Sequence, residues 1–173
     1  MREVQIFLLL TSVLVHGRDP RWQNSYDEPL HFACPVRQSI SYISSQHDNH
    51  REDRLWDFGC KDTFSSEPTC FWSEYANDFD QEFTFQCPKN YVLTGMNSYH
   101  DNHHEDRRWR FHCCLVHNQC NAVCQWTTYI NYFDEPFSWS VPTMNYLVGT
   151  GSYHSNSKED RRWRYMYCTR QSC

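Results

Sequence analysis

The sequence is poor in aliphatic material. Its mean hydropathy is −0.81, which puts an aliphatic core out of reach. After residue 17 no stretch is apolar enough to span a bilayer. No basic run is long enough to track a phosphate backbone, and the net charge of −5 argues against nucleic acid as a partner. There is no Asn-x-Ser/Thr sequon, so N-glycosylation is not expected. HExxH, P-loop and nucleophile motifs are all missing. Asp and Glu are abundant, but nothing singles out two of them as a glycosidase pair. These absences argue for a protein that is not an enzyme, with no cofactor and no metal assigned. No window holds a sustained helical period, so the chain is expected to be all-β.

The first residues read as a targeting segment. Arg2 precedes an apolar run from Ile6 to Val15, broken only by Thr11 and Ser12, and Val15 and Gly17 are small enough to precede a cleavage site. A signal peptide is expected over 1–17, with a secreted, extracellular product beginning near Arg18; the alternative is a buried N-terminal strand. The rest, 18–173, is expected to form one domain. Aromatics make up 17% of the chain, and all ten cysteines lie after the signal. That pairing points to a core of aromatic rings stapled by disulfides.

The dominant signal is internal repetition. Three segments close alike: Asp53-Arg54-Leu55-Trp56-Asp57-Phe58, Asp106-Arg107-Arg108-Trp109-Arg110-Phe111 and Asp160-Arg161-Arg162-Trp163-Arg164-Tyr165. Their Asp positions are 53 and 54 residues apart (106 − 53, 160 − 106). Cys34-Pro35, Cys87-Pro88 and Val141-Pro142 each begin 19 residues before that Asp, and Asp27, Asp80 and Asp134 lie seven residues earlier still. Each unit opens with a tryptophan (Trp22, Trp72, Trp126), giving repeats over about 22–60, 72–114 and 126–168. Alternation puts Arg54, Trp56, Phe58 and Cys60 on one strand face, matched by Arg107, Trp109, Phe111 and Cys113. Asp106, Arg108, Arg110, His112 and Cys114 fall on the other, a charged outer face. The expected fold is disulfide-rich with pseudo-threefold symmetry, either trefoil- or prism-like.

The repeat also suggests the bridges. Cys34 and Cys60 occupy the positions of Cys87 and Cys113, and the third unit lacks both, having Val141 and Tyr167. Joint absence suggests Cys34–Cys60 and Cys87–Cys113. Cys70 and Cys124 each precede a Trp by two residues, while Cys114 and Cys168 each follow their Asp by eight. This gives Cys70–Cys114 and Cys124–Cys168, leaving Cys120–Cys173.

The three D-R-x-W-x-[FY] segments, with the vicinal Cys113-Cys114, the Cys120-x-x-x-Cys124-x-Trp126 run and the Cys168/Cys173 pair, resemble the dermatopontin family over nearly the whole mature chain. The resemblance implies an extracellular matrix, adhesion or agglutination protein. Its partners would be cell-surface glycans, glycosaminoglycans or proteoglycans, and other matrix proteins. The family also includes a cnidarian cytotoxin and shell-matrix proteins, so a membrane-active toxin and a matrix or biomineral role are the alternatives. Vertebrate members carry an acidic, Tyr-rich segment that is missing before Trp22, which favours the compact invertebrate agglutinin style.

The motif residues themselves read better as scaffold than as ligand site. An inward Trp lies under an Arg, and an Asp closes an ion pair or a turn. The outer Arg108, Arg110, Arg162 and Arg164 are better ligand candidates, and Leu55 and Asp57 make the first unit less basic. His100, His103 and His104 join them in a solvated loop, as do His47 and His50 in the first unit, where protonation below pH about 6.5 would strengthen contact with an anionic glycan. Zinc binding by these loops is the weaker reading. Asp27-Glu28-Pro29, Asp80-Gln81-Glu82 and Asp134-Glu135-Pro136 lack the dense oxygen ligands of a calcium loop and read as turns entering strands. Multivalency, from related sites or from self-association into a homo-oligomer, would turn weak contacts into cell cross-linking.

Overall fold

The computed structural model describes residues 19–173, so the expected signal peptide over 1–17 lies outside the described residues. Eleven strands and no helix are present among them: β1 (Leu30–Ala33), β2 (Gln38–Asp48), β3 (Asp53–Asp62), β4 (Thr69–Trp72), β5 (Phe83–Gln86), β6 (Val92–Asp101), β7 (Asp106–Leu115), β8 (Gln119–Trp126), β9 (Phe137–Ser140), β10 (Asn145–Ser155) and β11 (Asp160–Ser172). They form three separate antiparallel sheets, ordered β1-β6-β7-β4, β5-β10-β11-β8 and β3-β2-β9. Each sheet is centred on the long hairpin of one repeat, which gives the fold its pseudo-threefold character.

Each sheet is built on a long hairpin, and each hairpin borrows its edge strand from the preceding unit. β1 pairs with β6, β5 with β10, and β9 closes the circle on β2. A β-bulge at matching places in β2, β6 and β10 positions this exchange. The bulged carbonyls of Thr94, Val148 and Ser41 accept hydrogen bonds from the N–H groups of Cys34, Cys87 and Val141. Close approach requires glycine here: a Cβ on Gly95 would sit 2.5 Å from the Phe32 carbonyl oxygen, and one on Gly149 would sit 2.7 Å from that of Phe85.

Aromatic rings fill the interior, because so little aliphatic material is available. The borrowed strands stack a ring onto their own unit's hairpin: Phe32 on Phe58 (4.4 Å), Phe85 on Phe111 (4.6 Å) and Trp139 on Tyr165 (4.8 Å). Five disulfides join Cys34–Cys60, Cys87–Cys113, Cys70–Cys114, Cys124–Cys168 and Cys120–Cys173, and no described cysteine is free. The first two fasten a borrowed strand back to its own hairpin. In a chain-entropy account each bridge stabilises by about 3–4 kcal/mol.

Two details differ from the sequence reading. Asp106 and Cys114 are buried rather than on the outer face with Arg108. Asp106 opens its strand and turns in to meet an arginine of the next unit, while Cys114 is covered by β4 through its bridge to Cys70. Trp22, read as opening the first unit, is out of phase with Trp72 and Trp126, which close β4 and β8. It lies 31 residues before its Asp, against 34 for Trp72 and Trp126 (53 − 22, 106 − 72, 160 − 126), and its sheet has three strands instead of four.

Candidate functional site

The D-R-x-W segments converge on the pseudo-threefold axis in stacked layers. Trp56, Trp109 and Trp163 meet edge to face, with ring centroids 5.0, 5.0 and 4.8 Å apart. Above them three arginines pair with three aspartates, each across a unit boundary. Arg107 Nε and Nη2 reach Asp53 at 2.6 Å, Arg161 reaches Asp106 at 2.6 and 2.7 Å, and Arg54 reaches Asp160 at 2.6 and 2.7 Å. The same carboxylates accept the backbone N–H groups of Asp27, Asp80 and Asp134, each at 2.8 Å. These three aspartates occupy the left-handed region, with φ of 65°, 63° and 67°. The acidic triplets are therefore the turns that lead into β1, β5 and β9.

The layers open into a well with about 20 Å³ of room for a water-sized occupant, lined by the same five residue types from all three units. His47, His100 and His154 lie directly across their hairpins from Arg54, Arg107 and Arg161, which turns them inward. Glu52, Glu105 and Glu159 line it with them, each at the end of a hairpin turn with φ of 44–47°. His100 Nε2 lies 3.7 Å from Glu105 Oε2, and His154 Nε2 lies 3.7 Å from Glu159 Oε2. Burial pushes the carboxyls of Glu105 and Glu159 up, repulsion from Glu52 adds to it, and His100 and His154 oppose it.

A second pair of features lies on the outer faces of the four-stranded sheets. Arg110 lies over Trp72 (5.5 Å) and Tyr75 (5.6 Å), and Arg164 lies over Trp126 (4.8 Å) and Tyr129 (5.6 Å). Among the described residues neither guanidinium has a carboxylate within salt-bridge reach, and the Nε of each has no acceptor, although Arg164 Nη2 donates to the Thr84 hydroxyl at 3.2 Å. Arg108 and Arg162 are different. Arg108 donates to the Asn77 carbonyl and the Tyr99 hydroxyl and pairs with Asp78 at 3.0 Å. Arg162 donates to the Asn131 carbonyl and the Tyr153 hydroxyl. These two pin loops to strands, so of the four candidate arginines Arg110 and Arg164 have the most bonding capacity to spare.

The candidate histidines divide as well. His103 is exposed. His104 stacks on Phe79 and bonds Asp101 at 2.8 Å, which raises its pKa. His100 and His47 are not in a solvated loop: their side chains are 1% exposed, because strand alternation aims them at the axis. Only His103, His104 and His50 remain on the loop surface. Four clusters of His, Cys, Asp or Glu have ligand atoms within 4.8 Å of one another. In one, Cys70 and Cys114 with His112, both sulfurs are in a disulfide and cannot bind metal. The others are Asp27, Asp53 and His100, then Asp80, Asp106 and His154, then His47, Asp134 and Asp160.

Asn24, Asn77 and Asn131 escaped the sequence reading. Each buried amide donates to the carbonyl of the motif Arg and accepts the N–H of the motif Trp, at 2.8–3.0 Å, so a side chain stands in for a neighbouring strand. Their signal was present: each lies 29 residues before its Asp (53 − 24, 106 − 77, 160 − 131).

A family profile described as Dermatopontin matches residues 24–173. The hemagglutinin/amebocyte aggregation factor of Limulus polyphemus is 40% identical over 175 residues, covering all of both chains. Millepora cytotoxin-1 of Millepora dichotoma is 44% identical over 84% of this chain and 65% of its own length. A dermatopontin of Biomphalaria glabrata is 41% identical over 82% of this chain and 95% of its own. No solved structure matches.

Proposed function

Because the chain belongs to the dermatopontin family, we propose that it is an exported, non-enzymatic adhesion and agglutination protein that binds anionic cell-surface glycans or glycosaminoglycans. The observation that carries this reading is the pair Arg110 and Arg164, each without a carboxylate partner among the described residues, with an Nε that has no acceptor, and lying on two aromatic rings. An aromatic face suits the apolar face of a sugar ring, and a free guanidinium suits a sulfate or carboxylate. Two such faces on one rigid chain let it bridge two glycan chains, so weak contacts become cross-links. Five disulfides with no free described cysteine suit the oxidising environment outside the cell. No described helix is long and apolar enough to cross a membrane.

The test is agglutination of red cells with and without heparin. Agglutination that heparin blocks is expected. Arg110→Ala with Arg164→Ala should weaken heparin binding at least about tenfold, the value of losing one charge-assisted contact, with the melting temperature unchanged. Lysis without agglutination would replace this reading with a membrane-damaging one.

A further inference from the structure

We propose that the outer face of the three-stranded sheet binds a neutral sugar ring, seated on the Trp22 indole and held by Gln46 and the Ser44 and Ser138 hydroxyls. The site exists because the first unit lacks a fourth strand. Asp19 lies 34 residues before its motif Asp, where the other units have Trp72 and Trp126 (53 − 19, 106 − 72, 160 − 126). Pro20 stands where Ser73 and Thr127 donate their N–H groups to the Phe111 and Tyr165 carbonyls at 2.8 Å (53 − 20, 106 − 73, 160 − 127). Proline has no N–H to give, so the bond that follows β4 and β8 in the other sheets cannot form here.

A groove of about 290 Å³ lies on this face, with Pro20, Trp22, Ser44, Gln46, Pro136 and Ser138 in its walls. Ligand sites begin at about 300 Å³, so the space suits one ring-sized ligand. None of the lining residues is charged, so an anionic glycan would find no countercharge there.

The aromatic wall differs from its counterparts in the same way. Trp22 holds the place of Tyr75 and Tyr129, 31 residues before the motif Asp (53 − 22, 106 − 75, 160 − 129). Arg108 and Arg110 lie over Tyr75 at 5.1 and 5.6 Å, Arg162 and Arg164 lie over Tyr129 at 5.2 and 5.6 Å, and Tyr99 and Tyr153 meet those rings edge-on. Leu55, Asp57 and Gln46 replace these residues in the first unit. Among the described residues no ring or guanidinium packs on the Trp22 indole, which is left to the groove. An indole offers the apolar face of a sugar a flat partner and carries one N–H donor.

The opposite wall supplies oriented hydroxyls. Tyr42 Oη donates to Ser138 Oγ at 3.0 Å, Ser138 Oγ lies 3.0 Å from Ser44 Oγ, and Ser44 Oγ donates to the Phe137 carbonyl at 3.2 Å. This relay leaves the exposed Ser138 with acceptor capacity to spare. The exposed Gln46 amide has donors and an acceptor, and no partner among the described residues. At the place of Ser138 the other units are occupied: Trp72 packs on His31 at 5.4 Å, and Arg164 donates to Thr84 at 3.2 Å.

The experiment titrates the full secreted chain with the methyl glycosides of galactose, mannose and N-acetylglucosamine, following the Trp22 indole N–H by NMR. At least one should bind saturably, with Kd about 1 mM, and shift that resonance. Trp22→Ala should weaken binding at least about tenfold, and Trp22→Tyr should recover part of the loss. Gln46→Ala changes an exposed side chain, so it should weaken binding about three- to tenfold without altering melting, and it carries the test if Trp22→Ala is unstable. Arg110→Ala with Arg164→Ala should leave sugar binding intact, and Gln46→Ala should leave heparin binding intact, so this site and the anionic-glycan faces fail separately. The proposal is overturned if none of the three glycosides binds saturably, if Gln46→Ala and Trp22→Tyr both bind like the parent, or if the double arginine variant abolishes binding.

Discussion

The Arg107 guanidinium grips the Asp53 carboxylate with two hydrogen bonds of 2.6 Å, tying the second repeat to the first. Both side chains are nearly fully buried, and Arg161–Asp106 and Arg54–Asp160 repeat the arrangement until the ring closes. Burying an ion pair is costly, so the ring is a better device for fixing which unit meets which than a source of net stability. Removing one partner is another matter. Asp53→Asn keeps the shape but leaves Arg107 charged and uncompensated, and should lower unfolding stability by about 3–5 kcal/mol in a denaturant titration. A paired apolar replacement, Asp53→Leu with Arg107→Met, should recover much of that. A loss below about 1 kcal/mol for Asp53→Asn would show that the ring carries little.

The repeat phase made the strands and their inward faces legible, because side chains on a strand alternate and the motif recurs three times. It could not show that Asp53 serves Arg107 and not Arg54, since both choices have the same spacing pattern. The borrowed edge strands were hidden for the same reason: pairing β1 with β6 is a choice among identical units. The inward aim of His100 was open to alternation, but its hairpin was read as a loop. The division between Arg110 and Arg108 rests on loop residues such as Asn77 and Asp78, whose positions follow from tertiary packing alone.

Arg108 and Arg110 are neighbours but one in the same strand, and their substitutions should separate. Arg108→Ala breaks three polar contacts to a loop and should lower the melting temperature by several degrees, at about 2–4 °C per kcal/mol in a chain of this size. Arg110→Ala should leave melting unchanged and weaken heparin binding. Equal effects on melting from both would remove the distinction drawn between pin and site.

The pH dependence of stability should carry two histidine contributions of opposite sign. His104 is raised above 6.5 by its hydrogen bond to Asp101, so the folded state holds its proton more tightly. That contribution is present below pH 6.5 and is lost as pH rises through the folded pKa. His112 is lowered, first by burial and then by His31. Its penalty is absent above pH 6.5 and grows as pH falls, because the unfolded chain takes the proton first. Melting curves from pH 5 to 8 should show His112→Gln gaining stability relative to the parent at the acid end. His104→Gln should lose its deficit as pH rises above 6.5. The reverse order would mean that these assignments are exchanged.

The third unit offers a place for a sixth bridge. In the first two units Cys34–Cys60 and Cys87–Cys113 span Cα separations of 5.8 Å each, between the end of a borrowed strand and its own hairpin. Val141 and Tyr167 hold the matching positions, and Trp139 packs there against Tyr165 (4.8 Å) and Tyr167 (6.2 Å). The Trp139–Tyr165 stack has counterparts in the other units, so only the Trp139–Tyr167 contact stands where they have a covalent bond. Val141→Cys with Tyr167→Cys should therefore oxidise to a bridge, visible as a mass two hydrogens below the reduced form. Closing a loop of about this length adds about 3 kcal/mol in the chain-entropy account, offset by the lost Trp139–Tyr167 contact of about 1 kcal/mol. A variant that stays reduced in air, or melts below the parent once oxidised, would show that the third unit departs from the backbone geometry of the other two.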